Sequence, residues 1–378
     1  MAGIYVHIPF CKQACSYCDF YFITRKKLID PFVDSLIREI KSYRGTPYSN
    51  EKIETIYLGG GTPSQLSPDQ IQQIFDALED TFSLKPVEVT MEMNPDDVTP
   101  DYLKSLLDLG INRASMGVQS FDEKLLQFMH RAHTKSEALK ALESLQTAGF
   151  PTFTADLIYG NPGQTLEMLD DDIAQLLQFD PPHISAYSLT VEPQTRLGKQ
   201  VKLGRISPPE DEMVAEHFDL LTERLSSAGI ERYEVSNFSK PGKEAVHNSN
   251  YWRHENYLGL GPSAHSFWLL EDGALRWENR SDIKEYMDDL SGGGTDPEKL
   301  SMFSLAEERL MLGLRTKWGV GFEELKSRYD YVLNREQRAW LNYQSEKGML
   351  KTEGDVLRFT SEGLKIADLL IVDLLSKS

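Results

Sequence analysis

One pattern restricts the fold of this 378-residue chain more than any other: strand-like and helix-like segments alternate six times before about residue 228. The strand-like runs are Ile4-Tyr5-Val6-His7, Ile53 to Leu58, Val87 to Met93, Arg113 to Val118, Thr152 to Ile158 and His183 to Leu189. Between them lie segments of helical apolar spacing: Leu28 to Tyr43, a helix from Pro68 with Ser67 as N-cap, Pro100 to Leu109, two stretches up to Ala148, Thr165 to Phe179, and Glu210 to Ala228. Six β-α units in series require a parallel sheet with right-handed crossovers. The expected fold is α/β: a partial (β/α)6 barrel of the TIM type, with small units appended.

Glycine-rich or polar motifs follow several strands: Gly59-Gly60-Gly61-Thr62, Glu92-Met93-Asn94-Pro95, Gly117-Val118-Gln119-Ser120 and Asp156 to Gly160. In β/α barrels the strand C-termini form the active face, so these motifs converge on one mouth. The alternation breaks over residues 231–294, a stretch rich in aromatics that ends in the linker-like Gly292-Gly293-Gly294. Residues 295–378 read as a third unit. Helices at Leu305 to Leu314, Phe322 to Tyr329 and Arg335 to Lys347, a hairpin around Gly354 and a final helix resemble a winged helix. The net charge of −18 argues against nucleic acid as a partner and favours a packing or lid role for this unit. No segment approaches a membrane span, and the first residues lack a secretory signal, so the expected location is the cytoplasm. Peripheral membrane contact stays open.

The chain has only three cysteines, Cys11, Cys15 and Cys18, and they follow the first strand. An odd, tightly clustered set without a signal peptide speaks against disulfides. A zinc site would usually pair this motif with a second one, although His7 could supply a fourth ligand. Three thiolates on a compact loop suit a [4Fe–4S] cluster with one iron open. The cluster is the favoured reading, with zinc and unrelated buried cysteines as alternatives.

The spacing of three and then two residues, with Tyr17 before the last cysteine, resembles the radical S-adenosylmethionine (SAM) superfamily. That resemblance implies SAM on the open iron and its reductive cleavage. Together with Tyr5-Val6-His7-Ile8-Pro9-Phe10 ahead of Cys11, it extends to the oxygen-independent coproporphyrinogen III oxidase family. By match to family motifs, Tyr5 and Tyr17 flank the cluster and SAM. Gly60, Gly61 and Thr62 resemble the glycine motif beside the SAM amino group, where a missing Cβ permits close approach. Glu92 and Gln119 match SAM-contacting positions, Arg131 the arginine at the SAM carboxylate, and Asp156 a carboxylate near the ribose. His130 departs from the family, which more often has glycine before this arginine.

Two features separate branches of the family. The oxidases carry a further cysteine two positions beyond the last ligand, where this chain has Phe20. The string His247-Asn248-Ser249-Asn250-Tyr251-Trp252 matches the His-Asn-x-x-Tyr-Trp motif of HemW-type haem chaperones. The resemblance implies haem binding, with His247 as candidate iron ligand, His254 and His265 as nearby alternatives, and an acceptor protein as partner. The alternative is a radical SAM oxidase acting on coproporphyrinogen III.

Overall fold

The structure, a computed structural model, describes residues 2–288 and 294–378. Six strands carry the barrel: β1 (Ala2–Ile8), β2 (Lys52–Gly60), β3 (Ser83–Met93), β4 (Arg113–Gln119), β5 (Thr152–Tyr159) and β6 (His183–Ser188). They lie side by side in chain order, all parallel. The intervening helices are α1 (Ile29–Ser42), α2 (Pro68–Thr81), α3 (Pro100–Asp108), α4 (Glu123–Met129), α5 (Lys135–Ala148), α6 (Leu166–Leu177), α7 (Arg196–Lys202) and α8 (Asp211–Ser227). Local chemistry sets their ends. Ser67 and Gln70 form a reciprocal capping box at α2, with Pro68 in its first turn. Thr134 and Glu137 do the same at α5, which stops at Gly149 in a left-handed conformation. The short α7 was not expected from the sequence.

Period-two alternation sorts the strand side chains. Ile4, Val6, Leu58, Met91, Met116, Ala155 and Ile184 join the core beneath the helices. The opposite set is polar. Thr55, Glu88, Arg113, Thr154 and His183 form a lower tier, and Tyr57, Ser115, Asp156 and Ser185 stand above it. They bond to one another and to elements inserted from elsewhere. The barrel lumen is therefore a polar enclosure rather than a packed apolar core.

The stretch read as irregular continues the same sheet. β7 (Glu231–Arg232) and β8 (Asn237–Ser239) pair beyond β6. α9 (Val246–Trp252) packs against β1 and β2. β9 (Asn256–Leu260) then pairs parallel to β1, and β10 (His265–Leu270), β11 (Gly273–Glu278) and β12 (Glu298–Leu300) add antiparallel. The result is a 12-stranded sheet with β12 and β7 at its edges. α10 (Ile283–Asp288) packs on α1. Of the expected glycine linker, Gly292 and Gly293 lie outside the described residues; Gly294 bridges to Asn279.

The C-terminal unit runs α11 (Met302–Leu314), β13 (Val320–Gly321), α12 (Phe322–Tyr329), α13 (Arg335–Glu346), β14 (Leu350–Glu353), β15 (Val356–Phe359), α14 (Ser361–Lys365) and α15 (Ala367–Leu375). Its antiparallel sheet has the order β13-β15-β14, the winged-helix arrangement expected from the sequence. Its core is continuous with the barrel extension through Phe267, Ala274 and Leu300. Among the described residues no helix is long and apolar enough to cross a membrane.

Candidate functional site at the barrel mouth

The loop holding Cys11, Cys15 and Cys18 is tied down by its neighbours. Ser16 N–H donates to Met129 O and Ser16 Oγ to Phe128 O, while Leu197 N–H donates to Ser16 O. Gln13 Nε2 donates to His130 O, and Lys12 Nζ donates to Asp96 Oδ2 at 2.6 Å and pairs with Asp97. Asp97 in turn accepts from Ser64 Oγ and Gln65 Nε2. Segments after β3, β4 and β6 thus hold the cysteine loop in place.

The three thiols share one electrostatic neighbourhood. Burial pushes Cys11 up to about 11 and Cys18 up to about 12, and Cys15 adds to both shifts. Among the described residues no three His, Cys, Asp or Glu side chains gather tightly enough to hold a single metal ion. His7 is unsuited as a zinc ligand. Its Nε2 donates to Tyr21 O at 2.9 Å and its Nδ1 meets Tyr5 Oη at 3.1 Å. Three thiols on one loop, with no fourth donor gathered to them among the described residues, fit a polynuclear cluster with one open metal better than a closed tetrahedral site.

Glu92, Gln119, Arg131 and Asp156 reach the same mouth. Arg131 NH1 faces Cys15 Sγ at 3.4 Å and Tyr17 Oη at 3.5 Å, and NH2 donates to Asn94 Oδ1 at 2.7 Å and Gly117 O at 2.9 Å. Its Nε is buried with no partner among the described residues, an unsatisfied donor. Glu92 accepts from Tyr57 Oη at 2.8 Å and from Gly60 N–H at 3.0 Å. Burial lifts Glu92 to about 7, and lifts Asp156, which accepts from Ser115 Oγ, to about 6. The Asp156 charge adds to the Glu92 shift, so a cation entering here would stabilise the Glu92 carboxylate. An open guanidinium donor at one point and two destabilised carboxylates at another complement a zwitterionic ligand. Thr62 Oγ1 lies 3.5 Å from Cys11 Sγ, and Gln119 is held at φ +68° beside Gly117.

The glycine motif has a prior structural duty. A Cβ on Gly60, whose φ is +105°, would lie 2.5 Å from the His7 ring, and one on Gly61 would lie 2.8 Å from Ile8 O. These glycines let the end of β2 close on the end of β1 and the cysteine loop. Residues missed from sequence are Tyr57, Asn94, Lys12 and Asp97. Asn94 lay inside a flagged strand-end motif, and Lys12 between two cysteines facing an acidic pair.

His247, the candidate iron ligand, lies buried inside the barrel and is hydrogen-bonded at both ring nitrogens. The residue is 1% exposed. Nδ1 bonds Thr55 Oγ1 at 2.8 Å and Nε2 bonds Tyr251 Oη at 2.7 Å, so no ring nitrogen is left for a metal. Burial, with Arg113 nearby, pushes it down to about 3, which keeps the ring neutral. Glu88 caps α9 by accepting from Val246 N–H and His247 N–H. His254 is buried between Tyr329 and Glu308, and exposed His265 pairs with Glu278.

Comparisons with known proteins agree with this architecture. Residues 5–176 match the Radical SAM superfamily. The heme chaperone HemW of Bacillus subtilis is 35% identical over 373 residues, covering 96% of both chains. That of Escherichia coli is 36% identical over 276 residues, covering 72% of each. The structure of the E. coli coproporphyrinogen III oxidase HemN, a radical SAM enzyme, superposes with a TM-score of 0.85 over 99% of this chain and 89% of that one; at 21% identity this is a likeness of fold. The mouth geometry, the superfamily match and full-length relatives well above 30% identity lead to one assignment: the chain belongs to the HemW family within the radical SAM superfamily.

Proposed function

We propose that the protein is a cytoplasmic haem chaperone that binds haem and passes it to an acceptor protein. The observation that carries this reading is the similarity to heme chaperones over 96% of both chains. Phe20 supports it, since an exposed phenyl ring stands where the oxidase branch carries a cysteine. In this reading Cys11, Cys15 and Cys18 hold a [4Fe–4S] cluster whose open iron takes SAM. When bound, the cluster would supply one-electron chemistry and a site for the amino and carboxylate groups of SAM.

The chain's own residues then have defined tasks. Arg131 offers its open Nε–H to a carboxylate. Glu92 and Asp156 receive cationic and hydroxyl groups, with Tyr57 and Ser115 orienting them. Tyr5, Tyr17, Gln119, Gly60, Gly61 and Thr62 close the walls around the ligand. The test is anaerobic reconstitution followed by titration with ferric haem, with and without SAM. A saturable Soret band at micromolar haem, and its transfer to an apo-haemoprotein, is expected. Absence of haem uptake would reject the reading.

A further inference from the structure

A haem carrier needs a ligand for the iron, and the buried His247 does not provide one. The chain has eight histidines. Six are buried: His7, His133, His183, His217, His247 and His254. Of the two exposed rings, His265 has Nε2 3.3 Å from Glu278 Oε2 on the neighbouring strand. The other is His130, at the C-terminal end of α4.

His130 has the geometry of a prepared ligand. Its Nδ1 lies 3.0 Å from Ala14 O. A carbonyl only accepts, so in the neutral ring Nδ1 carries the proton and Nε2 presents a lone pair. That backbone bond is the kind of outer support that fixes the tautomer and orientation of metal-binding imidazoles. The residue sits at φ +58°, a left-handed conformation uncommon without glycine. This left-handed residue caps α4 and leaves the ring exposed against the cysteine loop.

His130 and Arg196 are shared walls of two adjoining clefts of about 330 and 300 Å³. The first is lined also by Cys15, Cys18, Asp19, Phe20 and Phe22. Phe20 is 68% exposed, unusual for so large an apolar ring. The exposed Arg196 guanidinium has no ion-pair or hydrogen-bond partner among the described residues. An imidazole with a free Nε2, two phenyl rings and an uncommitted guanidinium match the iron, the macrocycle and a propionate of haem.

Building on the haem-chaperone reading, we infer that His130, standing where the family more often has glycine, gives this chain its own axial ligand for the carried haem, seated in the cleft beside the cysteine loop, with Phe20 and Phe22 against the ring and Arg196 on a propionate. The open cleft holds only part of the macrocycle and leaves the rest exposed for hand-over.

The test compares wild type, His130→Gly and His265→Ala by ferric haem titration of the reconstituted full chain. Glycine adopts the left-handed conformation freely, so His130→Gly keeps the fold; circular dichroism and iron content verify this. Wild type and His265→Ala are expected to give the same Soret band. His130→Gly should bind haem at least about tenfold more weakly, with a shifted maximum, and added imidazole should restore the wild-type band. Repeating the titration on both chains without reconstitution keeps the comparison valid should the variant hold less iron. An unaltered spectrum and affinity in His130→Gly would overturn the ligand assignment and leave the chaperone reading standing. No Soret band in the wild type would overturn the chaperone reading itself.

Discussion

The barrel mouth and the α9 region are built from similar residues and handle them in opposite ways. Around α9 the titratable groups close on themselves, while Ser249 Oγ and the Asn250 amide stay buried without a partner among the described residues. Glu88 caps the helix, and His247 joins Thr55 to Tyr251. At the mouth the polar groups remain open. Among the described residues Arg131 Nε and His130 Nε2 have no partner, and Glu92 and Asp156 are lifted toward neutrality. Closed polar networks fix a structure, whereas open ones await a ligand. We therefore propose that the conspicuous histidine motif serves the architecture and that the binding chemistry lies at the strand ends.

Several measurements sharpen or break this contrast. The largest expected effect is at the thiols. Replacing Cys11, Cys15 or Cys18 by Ser should abolish cluster retention, read as iron and sulfide content after anaerobic reconstitution. Full iron content in any of these variants would remove the mouth from the account. Next is Arg131→Met, which should weaken SAM binding by about 2–4 kcal/mol, on the order of a hundredfold, in equilibrium dialysis of the reconstituted chain.

A pH effect should come from Glu39, a buried carboxylate outside both regions. It accepts from Gly261 N–H, Asn279 Nδ2 and Tyr286 Oη, and burial lifts it to about 7. Its native pKa exceeds its unfolded value, so the folded chain binds the extra proton between about pH 4.5 and 7. Stability should therefore fall as pH rises through that window, by up to about 3 kcal/mol from this group. Glu39→Gln should flatten the slope, as followed by denaturant midpoints across pH; an unchanged slope would refute the assignment. The smallest effect is expected for Lys12→Met. Breaking a partly exposed ion pair should cost about 1 kcal/mol or less of global stability. It should nevertheless speed cluster loss, measured as the decay of cluster absorbance under a chelator.

Much of the fold was legible because its signals are local. Ser67, Pro68 and Gln70 announce α2, and apolar spacing over Phe32, Leu36 and Ile40 announces α1. The winged-helix unit was readable from three periodic helices and a turn at Gly354. The sheet extension was not, because β9 is defined by pairing with β1, some 250 residues earlier in the chain. α9 was hidden for a related reason. Its His, Asn and Ser residues are weak helix formers, and the helix depends on Glu88 from a distant strand. At the site, motif order pointed to Glu92, Arg131 and Asp156. Which histidine is open depends on burial and on the carbonyl of Ala14, neither of which a linear motif records.

The central claim is that His247 builds the fold and does not bind the iron. Its most direct test is haem titration of His247→Ala in parallel with urea unfolding. Removing two buried hydrogen bonds should cost about 2–4 kcal/mol. The account predicts a lowered urea midpoint together with a wild-type Soret maximum at saturating haem. A lost or shifted Soret band with an unchanged urea midpoint would contradict it.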